Sequence, residues 1–222
     1  MTKATSAPQL APGTVIDGMY TLGESLRTRV GAATYEATDP NDKKVEVTVY
    51  RPDSFMNPMA VERTLRELRQ VSTVDDPRVV HVFDSGKLAD GGVYEVHERI
   101  EGQSLAELGA LSGGDAATAL GDIVAALQAA AQAGVLHRDL GPDVVFKTAG
   151  GIKVGGFAVG EPQGGVSFGA IECIAPEQVE GKNIDESTLV YNLAALGYRM
   201  LTGRPLFAGD VATQLLQHAA SV

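Results

Sequence analysis

His137-Arg138-Asp139, inside the run VLHRDLGPDVVF (Val135–Phe146), puts an imidazole, a guanidinium and a carboxylate side by side in an apolar setting. A carboxylate held in this way can orient a hydroxyl for attack on an electrophile. The positions that follow are chemically quiet: Gly141 and Val144 carry no donor, and about a dozen residues later Gly156-Phe157-Ala158 has none either. Arg27 and Arg29, close to Gly31, could bind an anion. Glu46 and Thr48 alternate with Val45, Val47 and Val49, so they share one face of a strand, where a carboxylate repels a polyanion.

Two textures of chain must position these groups. From Tyr20 to about Arg99, the segments Tyr20–Leu26, Thr34–Thr38, Val45–Tyr50, Val79–Leu88 and Val93–Arg99 are short, rich in Val and Tyr, and separated by Gly, Asp and Pro. They predict an antiparallel five-stranded meander. Val61, Leu65, Leu68 and Val71 recur at helical spacing and predict one helix within it. Beyond Gly102 the chain predicts helices: one with Leu120, Val124, Leu127 and Ala131 on a single face and Gly134 as its stop, and one through Leu189, Leu193, Leu196 and Met200 ended by Gly203. A last helix is expected over Val211–Ala220 behind an Asp210 cap. Strands first and helices second predict an α+β, two-lobed chain. Residues 1–12 are expected to form a flexible tail, followed by one domain over 13–222, with an N-lobe to about residue 100 and a C-lobe from about residue 101.

The 222 residues are 44% hydrophobic, with net charge −10 and a pI near 4.8. An acidic chain is repelled by phosphate backbones, which argues against nucleic acid as a partner. Cys173 is the sole cysteine, which excludes an intrachain disulfide or a cysteine-built zinc site. No apolar run is long enough to span a bilayer, and the first residues lack the blocks of a signal peptide, so a cytoplasmic location without membrane insertion is expected.

Six segments in order carry a family resemblance: VEVTVYRP (Val45–Pro52), YEVHERIEGQSL (Tyr94–Leu105), the Val135–Phe146 run, IKVGGFA (Ile152–Ala158), IAPEQ (Ile174–Gln178) and VYNLAALGYRMLTGRPLF (Val190–Phe207). From about Gly13 onward the chain resembles the bacterial Ser/Thr protein kinases. The resemblance implies a bilobal kinase-like fold whose helical lobe is cut short, since the family continues past Phe207. It also assigns positions. Arg27, Arg29 and Ala32 stand where the phosphate loop has glycines, and an ordinary solvated turn is the simpler reading there. Glu46 replaces the alanine under the adenine, and Thr48 the phosphate-binding lysine. Glu67 keeps the helix glutamate but loses that lysine, so a solvated carboxylate is expected. His97 falls at the pocket-gating position with an internal hydrogen bond, and Phe146 at the adenine floor. His137, Arg138 and Asp139 are retained, with His137 and Phe157 packing in a structural column. Gly141 replaces the catalytic-loop lysine, Val144 and Gly156 the metal ligands, and Leu189 the aspartate that ties the central helix to the loop. Glu177 loses its usual arginine, and the activation segment holds only Ser167 as a hydroxyl.

Taken together these substitutions predict a pseudokinase rather than an enzyme, with no cofactor and no metal, acting as a scaffold or allosteric regulator in bacterial signalling. Two alternatives stay open: a nucleotide-binding protein with residual transfer activity, and a substrate whose threonines Thr2, Thr5 and Thr14 are read by a phosphothreonine-binding module. The expected partner is a second copy or another protein, such as an active kinase, docked on the surface from Leu206 to Val222.

Overall fold

The computed structural model describes residues 7–159 and 170–220. Thr2, Thr5, Ser167 and Val222 lie outside them. The chain divides into two compact units, the first running to Thr73 and resuming over Val80–Ile100, the second made of Val74–Val79 and the residues from Glu101 on.

The first unit is an antiparallel sheet built from β1 (Val15–Ile16), β2 (Tyr20–Arg29), β3 (Ala32–Thr38), β4 (Lys44–Tyr50), β5 (Val82–Lys87) and β6 (Val93–His97), with α1 (Pro58–Val71) inserted between β4 and β5. Six strands form it rather than five, the additional one being the two-residue β1. The order is β1-β2-β3-β4-β6-β5, so β6 separates β4 from β5 and the meander is broken where α1 enters. Alternation works as the residue types demand: Ala33, Tyr35, Ala37, Val45, Val47, Val49, Tyr94 and Val96 form one buried apolar cluster. α1 starts at an Asn57 cap that accepts from the Ala60 amide, and it buries Val61, Leu65, Leu68 and Val71.

Residues ahead of Gly13 lie against the sheet. The Tyr35 hydroxyl donates to the Pro8 carbonyl at 2.8 Å and accepts from the Leu10 amide at 3.0 Å, while Ala7 and Leu10 pack against the sheet cluster. One tyrosine oxygen satisfies two backbone groups, and with the apolar contact of Ala7 and Leu10 it holds the segment against the sheet.

The second unit holds β7 (Gly102–Ser104), α2 (Gly113–Gln132), β8 (Val145–Thr148), β9 (Gly151–Val154), α3 (Pro176–Val179), α4 (Glu186–Thr202) and α5 (Val211–Ala219). β7, β8 and β9 make a small antiparallel sheet. In α2 the buried face is Ala116, Ala119, Ile123, Ala126, Leu127 and Ala130, whereas Val124 and Ala131 are exposed. An alanine-rich helix offers two candidate stripes, and this one settles on the smaller side chains. Gly134 has φ +80 just past the end of α2, and Gly203 caps α4 with φ +69, conformations that any side chain would strain.

Candidate functional site

On the first unit, the polar face of the sheet collects the residues that the sequence singles out. Arg27 and Arg29 are not in a turn: β2 runs through both, and the turn is only Val30-Gly31, with Gly31 at φ +72. Two bulges in β2, between Leu22 and Ser25 and between Ser25 and Arg27, place Arg27 opposite Thr34; without them the ladder from Leu22–Ala37 would set it against Ala32. Thr34 in turn pairs with Thr48, two rows from Glu36–Glu46 and so the neighbouring pair on the same face, and from there the guanidinium reaches Glu46. Glu46 is 2% exposed, its Oε2 takes Arg27 Nη2, and its Oε1 accepts the Ile100 amide at 3.0 Å.

A second chain of hydrogen bonds lies beside it. His97 Nδ1 is 3.0 Å from the Glu98 carbonyl, which can only accept, so Nδ1 carries a proton, and Nε2 lies 3.1 Å from the Thr48 hydroxyl. Thr48 Oγ1 is 2.9 Å from Thr34 Oγ1. Glu95, to which the sequence assigned no role, is fully enclosed; burial pushes its carboxyl up, against the pull of His97 and a hydrogen bond from Tyr50 at 3.0 Å. Glu67 is buried and partnered, not solvated, because it falls between Thr64, Leu68 and Val71 on the inner side of α1. At the far edge of the sheet, burial and a bond to Asp84 push Tyr20 up to about 12.

On the second unit, the loop between α2 and β8 is held from within. His137 Nε2 donates to the Gly155 carbonyl at 3.0 Å, its Nδ1 accepts from the Asp139 amide at 3.3 Å, and its ring lies 4.6 Å from that of Phe157. Asp139 is 1% exposed. The Val144 carbonyl accepts the Gly155 amide at 2.8 Å, so positions 144 and 156 are close neighbours. Neither offers a side-chain oxygen, and the described residues contain no cluster of three His, Cys, Asp or Glu fit to hold a metal. A divalent cation, which the kinase fold implies, therefore does not fit these two positions. Ala158 sits at φ +66, a left-handed conformation that costs an alanine about 1 kcal/mol. Phe146 is 5% exposed on β8, opposite Ser104 and Lys153, and Gly141 is buried in the loop.

Leu189 is half-buried on α4 and holds nothing polar, yet the loop is still tied to that helix. Gln178 Nε2 donates to the Arg138 carbonyl at 2.9 Å, while its Oε1 accepts from the Ala175 amide and from Asn192 Nδ2 on α4, both at 2.9 Å. The tie runs through an Asn192–Gln178 relay and not through position 189. Sequence reasoning missed both residues; the signal was two amides at buried helical positions. Glu177 finds a hydroxyl instead of a cation: Thr188 donates to it at 2.5 Å. Cys173 is wholly buried, and burial beside Glu172 and Asp143 pushes its thiol well up, so it stays protonated and unreactive.

His218 on α5 is 0% exposed, with Nδ1 2.8 Å from the Tyr191 hydroxyl and the Phe207 ring 4.7 Å away. Burial lowers its pKa below the ordinary value near about 6.5. The neutral ring thus contributes stability that is present above that value and lost as pH falls through the lower folded one. Acid unfolding followed from pH 7 to 5 is expected to begin at lower pH in His218→Gln than in the unaltered chain.

The match to known proteins covers nearly all of this. A family model described as the protein kinase domain matches residues 31–221. A probable serine/threonine-protein kinase of Corynebacterium efficiens is 31% identical over 214 residues, covering 88% of this chain and 32% of that protein. The serine/threonine-protein kinase PknA of Mycobacterium tuberculosis is 30% identical over 224 residues, 93% of this chain and 52% of the relative. The chain thus spans about a third to a half of the length of these curated relatives. Crystal structures of the PknI kinase domain from M. tuberculosis share the fold, one with TM-score 0.75 at 23% identity over 90% of this chain and 78% of that one. The expectation that the chain is no enzyme is overturned here: relatives named as serine/threonine-protein kinases and a kinase-domain match over most of the chain point to an enzyme class.

Proposed function

The chain belongs to the protein kinase domain family, and on that premise we propose that it works in bacterial signalling by binding a protein, as a scaffold or allosteric regulator. The observation that carries this reading is the set of large apolar side chains left exposed on the second unit: Val190 at 67%, Leu201 at 52% and Tyr198 at 43% on α4, with Val211 at 55% and Leu216 at 71% on α5. Val190 and Leu201 are three turns apart and so lie on one side of their helix. Apolar area of this kind is what protein interfaces use. The partner class is a second copy of the chain, an active kinase or a phosphothreonine-binding module, met in the cytoplasm. No helix among the described residues is long and apolar enough to cross a membrane.

Sedimentation at tens of micromolar tests the self-association form of this reading, and pull-down with candidate kinases tests the other. The expected result is a complex that Leu201→Glu together with Leu216→Glu disrupts without changing the melting temperature. A monomer that retains no candidate partner sinks the proposal.

Phosphoryl transfer, the activity in the relatives' names, is the second reading. Asp139, buried and backed by His137, favours it as the group that would orient an acceptor hydroxyl.

A further inference from the structure

The first unit already holds a peptide on the apolar face of its sheet, and the peptide is its own. The sheet curls about that face. Tyr20 of β2 donates to Asp84 of β5 at 2.9 Å, although those strands stand near opposite ends of the strand order, and Tyr94 of β6 donates to Asp17 beside β2, also at 2.9 Å. Within the curl Tyr35 is 2% exposed, and Ala33 and Ala37, two residues to either side on the same face, are the smallest members of the buried cluster. Ala7 and Leu10 pack against this cluster, while the Tyr35 hydroxyl donates to the Pro8 carbonyl and accepts from the Leu10 amide. Gln9 between them is exposed, so its side chain is not read, and no residue from Ala7 to Pro12 is charged. We propose that this face is a binding site for an extended, uncharged segment of a partner protein, with a small residue, a proline, any residue and a leucine in that order, and that Ala7–Leu10 occupies it in cis. One phenolic oxygen that answers a carbonyl and an N–H two residues apart selects for backbone, and a proline suits the site because its fixed φ favours extended chain and it brings no N–H to bury. Release of the strap is local. Pro12 and Gly13 form the middle of a turn, with the Thr14 amide on the Ala11 carbonyl at 3.1 Å and Gly13 at φ +87. On the other side of that turn, the Gly13 amide donates to the Leu22 carbonyl and the Leu22 amide to the Thr14 carbonyl, each at 2.8 Å, so the strap can leave while the chain after it stays on β2. The site lies on the first unit and owes nothing to the exposed side chains of α4 and α5.

A tethered occupant competes at an effective concentration of about a millimolar, so the site is read by disabling the strap. The test is an NMR titration of the full chain with the synthetic peptide APQLAP, the sequence of residues 7–12 blocked at both ends, following the amides of β3. Ala7→Asp with Leu10→Asp is expected to bind the peptide saturably and at least about tenfold more tightly than the unaltered chain. Adding Tyr35→Phe to that variant is expected to weaken binding by about tenfold, the scale of the hydrogen bonds lost. A peptide with aspartate in place of its leucine is expected not to bind. Equal affinity in the strap variant and the unaltered chain, including no binding by either, overturns the proposal. So does binding that Tyr35→Phe leaves unchanged, or that the aspartate peptide reproduces. A dimer of the unaltered chain in sedimentation that disappears in the strap variant assigns the face to a second copy's strap and overturns the reading of a separate partner. Leu10→Ala takes the place of the double variant in the same titration if the latter does not fold.

Discussion

Arg27→Ala is expected to lower the stability of the first unit by about 2–3 kcal/mol, seen as a fall of roughly 1 M in the urea midpoint. Glu46 is 2% exposed, and without the guanidinium it keeps only the Ile100 amide to offset the loss of water. Breaking a fully buried pair by removing one member typically costs about 3–5 kcal/mol. The smaller figure applies because 27% of the Arg27 side chain still meets solvent, so the pair is partly screened already. The pairing rather than the arginine itself is at stake, and the double variant Arg27→Ala with Glu46→Ala is expected to recover most of the loss. A double variant no more stable than Arg27→Ala would show that Arg27 acts through packing.

Gln178→Leu is expected to be as severe in the second unit, by about 3 kcal/mol or more. The leucine fills the space of Gln178, itself 5% exposed, but strips partners from the Arg138 carbonyl, the Ala175 amide and Asn192 Nδ2. Each buried polar group left unmet costs about 1–3 kcal/mol, and Asn192 Nδ2 keeps an alternative in the Cys173 carbonyl at 2.6 Å. Gln178→Glu is the informative comparison. It keeps an acceptor for Ala175 and Asn192 while losing the donor to Arg138, so it should fall between the two. Hydrogen exchange at the amides of residues 137–140 reads the same event locally, and faster exchange confined to that loop is expected in both variants. Unchanged exchange there would remove the relay from any role in holding the loop.

Much of this molecule was legible from residue order. The alternation Val45-Glu46-Val47-Thr48-Val49 put its valines into the cluster and its polar pair on the other face, because a strand has only two sides. Gly134 and Gly203 marked helix ends because only glycine takes their backbone angles without strain. The misses share a cause as well: each depended on a neighbour distant in sequence. Arg27 read as a turn cation because a bulge leaves no mark in the one-letter pattern, and Glu67 read as solvated because a carboxylate on an amphipathic helix gives no sign of which partners wait for it. Leu189 read as a lost tie because the replacement came from Asn192 and Gln178, two uncharged amides in different segments. The reading of the chain as a non-enzyme came from counting substituted positions, and the family evidence overturned it.

The two bulges of β2 have a consequence for chain length. Between Leu22–Ala37 and Arg27–Thr34 the strand spends two more residues than its partner does. Those residues are slack. Deleting one residue from Gly23–Leu26 can be absorbed by flattening one bulge, and deleting two by flattening both, with Arg27 still opposite Thr34 and its charge still over Glu46. Adding a residue has no such outlet. The hairpin therefore has a one-sided tolerance, forgiving of shortening and intolerant of growth, and its charge pair is secured by surplus length.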